Sequence, residues 1–198
     1  YSFLVEANGK KIFYSGDFRS HGRKTKVFQR FLKTAPQNVD YLLLEGTQIG
    51  RQNKITKSEF ELENELTNVF KNSNGINLIY TSSQNLDRIV SIYKACIKSN
   101  KTMIVDVYTA YVLKTLSKFA KIPFPSKSFK NLKVLYTKFV SNKLSRTGQE
   151  KILYQFKDQK KTKEKISINQ QNYVMLVRPS MKIDLEYIKN LRDGNVVY

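Results

Sequence analysis

Residues 76–137 read, in succession, INLIYT, LDRIVSIYKACIKS, TMIVDVY, TAYVLKTLSKFA and, after a polar break, LKVLYT. Short runs rich in Ile, Val, Leu and Tyr alternate with segments whose apolar residues recur at helical spacing. Strands separated by a helix of this length cannot close as a hairpin. They are brought side by side and parallel, through right-handed crossovers. This alternation restricts the chain to an α/β layer fold with a mainly parallel sheet flanked by helices.

The remaining segments extend the pattern. YSFLVEA, the turn Asn8-Gly9 and KKIFYSG read as a hairpin. TKVFQRFLKT is expected to be a short basic helix with Val27, Phe28, Phe31 and Leu32 on one side. The apolar run YLLLEG at 41–46 is the pattern of a strand buried on both faces. Ser58 and Glu61 have capping-box spacing ahead of an acidic helix whose inner stripe is Leu62, Leu66, Val69 and Phe70. That helix reads as a solvated acidic face balancing nearby lysines. In the next helix Ile89, Tyr93, Cys96 and Ile97 are expected inward, and Tyr108 and Tyr111 read as packing residues at a strand–helix junction. Residues 141–170, polar and rich in Lys and Gln, are expected to form a helix followed by a mobile loop. YVMLVRP is a strand, DLEYIKNL a helix ended by Asp193-Gly194, and NVVY the start of a further strand. Both chain ends lie directly in strand-like sequence, as expected of a piece cut from a larger protein.

Composition bounds the partner. Of 198 residues, 35 are Lys or Arg and 16 Asp or Glu, a net charge of +19. Such an excess favours a polyanion, nucleic acid before an anionic membrane. A general taste for Lys, Asn and Ile is the competing explanation. Distribution argues against it: residues 121–165 hold twelve Lys and one Arg against three acidic residues, a surplus of ten. Phe124, Phe129, Tyr136, Phe139, Tyr154 and Phe156 interleave with them, the mixture that lines nucleic-acid grooves or covers an aromatic core. No apolar run approaches the roughly 18–20 residues of a membrane span. The single cysteine, Cys96, excludes an internal disulfide and suits a reducing, cytoplasmic setting.

In open α/β sheets the working residues gather where strands run out at their carboxyl ends. Four stretches fit: GDFRSHGR, EGTQIGR, TSSQNLDR and RPSMKIDLE. No GxxxxGK[ST] and no GxGxxG is present, which argues against a P-loop ATPase and a dinucleotide domain. One His and one Cys cannot make an ordinary zinc site alone. A Ser-His-Asp triad would need His21, whose one nearby orienting carboxylate is Asp17.

The order of strand–GDFRSHGRK, DYLLLEGTQIGR, IYTSSQNLDRIVSIYKAC, DVYTAYVL and YVMLVRPSMKIDLE resembles metallo-β-lactamase-fold nucleases that carry a β-CASP insertion. The likeness is strongest to RNA-processing exonucleases, relatives of ribonuclease J and of the eukaryotic pre-mRNA 3′-end endonuclease. It covers nearly the whole chain. It implies that residues 1–50 are the C-terminal part of the first metallo-β-lactamase segment and 51–198 a β-CASP domain incomplete at its C-terminus.

By this resemblance Asp17 corresponds to the carboxylate that bridges two zinc ions, a structural ion pair with Arg19 or Arg23 being the alternative. Glu45 corresponds to the acidic residue that holds a catalytic His from later in the chain. Arg178 and Ser180 fall where the insertion faces substrate. Arg88 does likewise or locks its helix to a carboxylate, and His21 is a structural or phosphate-side residue rather than a ligand. The family's HxHxDH motif and later His residues have no counterpart in the sequence. The expectation is therefore a fragment of a zinc-dependent nuclease acting on RNA, less readily DNA, and inactive alone. Its partner would be RNA or another single-stranded nucleic acid, and a homodimer of the parent stays open. The alternatives are a non-catalytic nucleic-acid-binding module and a non-nucleolytic hydrolase of the same fold.

Overall fold

Asn8 and Gly9 both take positive φ (50° and 74°), the pair of left-handed residues that a tight hairpin turn requires. They join β1 (Phe3–Ala7) to β2 (Lys10–Tyr14), antiparallel with Val5 opposite Ile12. A computed structural model describes residues 2–18, 20–46, 56–191 and 193–198. After β2 come α1 (Thr25–Thr34) and β3 (Tyr41–Leu43), which pairs parallel to β2 with Phe13 opposite Leu42. Asp40 sets that register. Its carboxylate accepts from the Lys10 ammonium and the Lys11 backbone N–H, both at 2.8 Å. The same two donors, Lys10 foremost, hold its carboxyl below the usual carboxylate range.

By its contacts the chain forms two compact units, Tyr1–Phe60 and Glu61–Tyr198. The division expected after residue 50 falls within 47–55, outside the described residues. In the first unit two expectations need correction. Tyr41, Leu42 and Leu43 are all more than half exposed, so β3 is not buried on both faces. It is the edge of a three-stranded sheet, and an apolar run alone does not say how many layers will cover it. Val27 and Leu32 of α1 are likewise exposed. Phe31 against Phe13 (6.2 Å between ring centroids) and Phe28 against Phe18 (5.9 Å) make the ring contacts, leaving the flanks of the stripe in solvent.

The second unit follows the alternation read from the sequence. Its elements are α2 (Glu59–Lys71), β4 (Asn77–Tyr80), α3 (Leu86–Lys98), β5 (Thr102–Asp106), α4 (Val107–Leu116) and β6 (Leu132–Leu135). Then come α5 (Lys138–Arg146), α6 (Lys151–Tyr154), α7 (Lys163–Ile168), β7 (Tyr173–Val177), α8 (Lys182–Glu186) and β8 (Asn195–Val197). The five strands are all parallel, in the order β6-β5-β7-β4-β8. The strand period of two divides their side chains between two cores. Met103, Val105, Leu132, Val134, Val174 and Leu176 meet Leu66 and Phe70 of α2, Ile89 and Ile92 of α3, and Leu113 of α4. Ile104, Leu135, Tyr173, Met175 and Val177 meet Ile166 of α7, Met181 and Ile188.

Helix faces were less legible than strands. On α3, Ile89, Ile92, Ala95 and Cys96 are buried, Tyr93 is half-buried and Ile97 is exposed. The sequence offers two overlapping apolar stripes on that helix, and the position of the sheet selects one. Cys96 lies inside the core, where burial pushes its thiol up. On α2, Val69 is exposed while Glu63 is buried and meets Lys98 of α3 at 2.8 Å, so the acidic helix is not simply solvated. Residues 141–170 are not a mobile loop. They fold as α5, α6, α7 and two 3₁₀ turns, fastened by the fully buried Phe156 and Ile166. Two anchors ten residues apart in a polar stretch leave no periodicity to detect. Lys161 donates its N–H to the Val134 carbonyl at 2.8 Å, laying this segment along β6.

At the far edge, a Cβ added to Gly194 would stand 2.3 Å from the Ile76 carbonyl oxygen, the acceptor for Asn195 N–H. Gly194→Ala is expected to lift β8 away from β4 at a cost of about 1–3 kcal/mol. Hydrogen exchange at 195–197 reads this directly. Protection unchanged from wild type would show that β8 tolerates the methyl.

Candidate functional site at the carboxyl edge of the parallel sheet

β5 runs into α4 with no loop, because Asp106 ends the strand and caps the helix. Its Oδ1 accepts the Thr109 N–H at 2.7 Å. The neighbouring strand β7 ends at Val177 and passes through Arg178 into the turn 179–181. Helix α4 packs into one core and Met181 into the other, so the chain leaves adjacent strands toward opposite faces. A crevice opens at such a reversal, and ligands of open α/β sheets bind there.

Arg178 spans this crevice. Its Nη1 lies 3.1 Å from Asp106 Oδ2, its Nη2 donates to Thr109 Oγ1 at 2.6 Å, and its guanidinium covers the Tyr108 ring at 5.3 Å. The Asp106 side chain is 4% exposed and that of Arg178 25%, so the pair is well shielded. Beside it is a cavity of about 390 Å³, walled by Tyr111, Phe139, Leu144 and Ile152 and rimmed by Lys143 and Ser180.

The other expected residues lie elsewhere. Arg88 is half-buried in the first turn of α3, where its backbone N–H donates to Asn85 Oδ1 at 3.3 Å. In the first unit, Asp17 is exposed and Glu45 half-buried. Tyr14 of β2 pairs with Leu43 of the parallel β3, so the two carboxylates follow the same ends of neighbouring strands. His21 is half-buried and its carbonyl accepts the Glu59 N–H at 3.1 Å. Arg19, one suggested partner of Asp17, and residues 47–51 of EGTQIGR lie outside the described residues.

No group of three or more His, Cys, Asp and Glu able to hold a metal occurs among the described residues. Asp17 offers one carboxylate, while Cys96 is sealed in the core. This donor set does not compose a zinc site.

Sequence reasoning found Arg178 and Ser180 but missed Asp106, Thr109 and Phe139. It also read Tyr108 and Tyr111 as packing, although each is 41% exposed on the cavity. The available signal was an Asp at the last position of a strand that becomes a helix without a turn.

Of the thirteen cations in 121–165, Lys163 alone makes an ion pair among the described residues, with Asp184 at 2.6 Å. Lys160 and Lys161 instead cover the rings of Tyr136 and Tyr173, at 4.9 and 5.3 Å. A second, more open groove of about 760 Å³ includes Tyr136, Lys138, Lys163, Tyr187 and Lys189. The aromatic residues divide between roles. Phe124 and Phe129 pack on each other and on the core, Phe156 is fully buried, and Phe139 and Tyr154 are exposed.

Among the described residues no helix is long and apolar enough to cross a membrane. No protein-family model matches the chain, and no curated protein is significantly similar to it.

Proposed function

We propose that the chain binds the backbone of single-stranded RNA, and that it does so as the strand-holding part of a metal-dependent nuclease. The observation that carries the binding is the basic segment 121–165, whose surplus of positive charge is left almost unneutralised by the protein's own carboxylates. Cations kept unpaired on one segment favour a polyanion, and release of its counterions supplies the affinity. The nuclease role rests on the resemblance of GDFRSHGRK, LEGT and VRPS to the β-CASP nucleases. Within it Asp17 offers a carboxylate to metal, Glu45 orients a ligand, and Arg88, Arg178, Ser180 and His21 face the nucleic acid. No catalytic step is drawn through zinc, because the residues described do not compose its site.

Binding of a labelled oligoribonucleotide between 50 and 200 mM salt tests the reading. With four phosphates engaged, affinity falls about 50-fold over that range. Replacing exposed Lys157, Lys160 and Lys165 by Gln lowers the log–log slope by about two. A loss of only about 3-fold in the wild-type protein, the slope of one contact, overturns the binding surface. In a protein that cleaves, Asp17→Ala abolishes cleavage and leaves the slope unchanged; cleavage that survives removes Asp17 from the metal site.

A further inference from the structure

The cavity beside Arg178 differs in kind from the basic surface around it. Its walls are apolar and aromatic, and they come from two helices, Tyr111 from α4 and Phe139, Leu144 and Ile152 from α5 and α6. At about 390 Å³ it is at the small end of the range for ligand pockets. The Tyr108 ring is already covered by the Arg178 guanidinium, but Phe139 is 60% exposed and Tyr111 41%, large apolar rings left open at the mouth of one hollow. The rim is polar and positive, with the Lys143 ammonium, the Gln149 amide and the Ser180 hydroxyl. α5, which supplies Phe139 and Lys143, belongs to the basic segment.

A ligand matched to this arrangement has a flat apolar face, polar edges and a negative charge close by. A nucleotide within a strand has all three. We propose that the cavity takes one nucleobase turned out of the bound strand, with Phe139 and Tyr111 against the base and Lys143 on the adjoining phosphate. This inference rests on the RNA-binding reading above. It adds a contact that depends on the base and not on salt. Every base has a π-face, so the pocket accepts any base and contributes affinity with little sequence preference. The Arg178–Asp106 pair serves as its floor, since Arg178 is held by Asp106, Thr109 and Tyr108 together.

The test compares two ligands of about twelve nucleotides, within the site sizes known for single strands: an oligoribonucleotide and a ribose-phosphate strand of equal length without bases. Wild-type protein and Phe139→Ala are titrated with each. The exposure of Phe139 makes the variant safe for folding, and Phe139→Tyr serves as the conservative rescue. Expected is a loss of about 5- to 150-fold for the base-bearing strand on Phe139→Ala. The abasic strand binds both proteins alike, the salt slope is unchanged, and Phe139→Tyr restores affinity. Equal binding of the base-bearing strand by wild type and Phe139→Ala, with the salt slope intact, overturns the base pocket and leaves the backbone surface standing. Failure of both strands to bind wild type in a salt-dependent way overturns the RNA reading and the pocket with it. Loss of affinity for both strands on Phe139→Ala also overturns the pocket, because the ring would then be shaping the basic surface and not meeting a base.

Discussion

Phe156→Ala lowers the stability of the 61–198 unit by about 3–5 kcal/mol. The ring is fully buried in the core that contains Met103, Leu132 and Val134, and the Lys114 ammonium lies 5.6 Å above its centroid. Phe156 sits at the end of α6, just before the turn that lays Lys161 against the Val134 carbonyl. Truncating it opens a cavity and releases the segment beside β6. Urea unfolding followed by circular dichroism measures the change, with hydrogen exchange at 157–168 showing where protection is lost. A change within about 0.5 kcal/mol, usual for surface positions, would mean that this stretch is the loop its polar sequence suggests.

Arg178→Met is expected to cost a similar amount, about 3–5 kcal/mol, for an electrostatic reason. Asp106 is almost wholly buried, and without the guanidinium its charge keeps only the Thr109 N–H. Adding Asp106→Asn removes the stranded charge and preserves the helix cap, since Asn caps as well as Asp. The double variant is therefore expected to be more stable than Arg178→Met by more than about 1 kcal/mol, the sign of directly coupled residues. Additive losses would show that the pair is not what holds the crevice. The same proteins separate structure from function. If Arg178 touches phosphate, the double variant regains stability without regaining RNA affinity.

The strands and their parallel order could be read from residues because alternation of short Ile/Val/Leu runs with helical spacing has few structural solutions. The cavity could not, because its parts lie apart in sequence: Asp106 and Tyr111 near one strand end, Phe139 and Ile152 in the polar segment, Arg178 after another strand. Arg178 and Ser180 were found through the carboxyl-edge rule. Asp106 was missed because a strand that becomes a helix without a turn gives no Gly or Ser punctuation. Exposure was the hardest property to read. YLLL has the same residues whether helices cover a sheet or leave it as an open edge, and LDRIVSIYKACIKS carries two stripes of nearly equal merit.

The strand order has a consequence for how the chain reaches this state. β7 lies between β4 and β5, yet it follows both in sequence, and Met175 pairs with Leu78 on one side and Ile104 on the other. Until residue 177 has left the ribosome, β4 and β5 have a gap where their common neighbour belongs. The first turn of α5 waits longer still, since the Lys138 N–H is received by Asp184, 46 residues further on. Phe139 adjoins that bond. The wall of the cavity is thus completed late in synthesis, and the unit's central pairings are long in sequence, which makes for slow folding. A nascent chain halted before residue 173 would present unpaired strand edges for as long as the halt lasted.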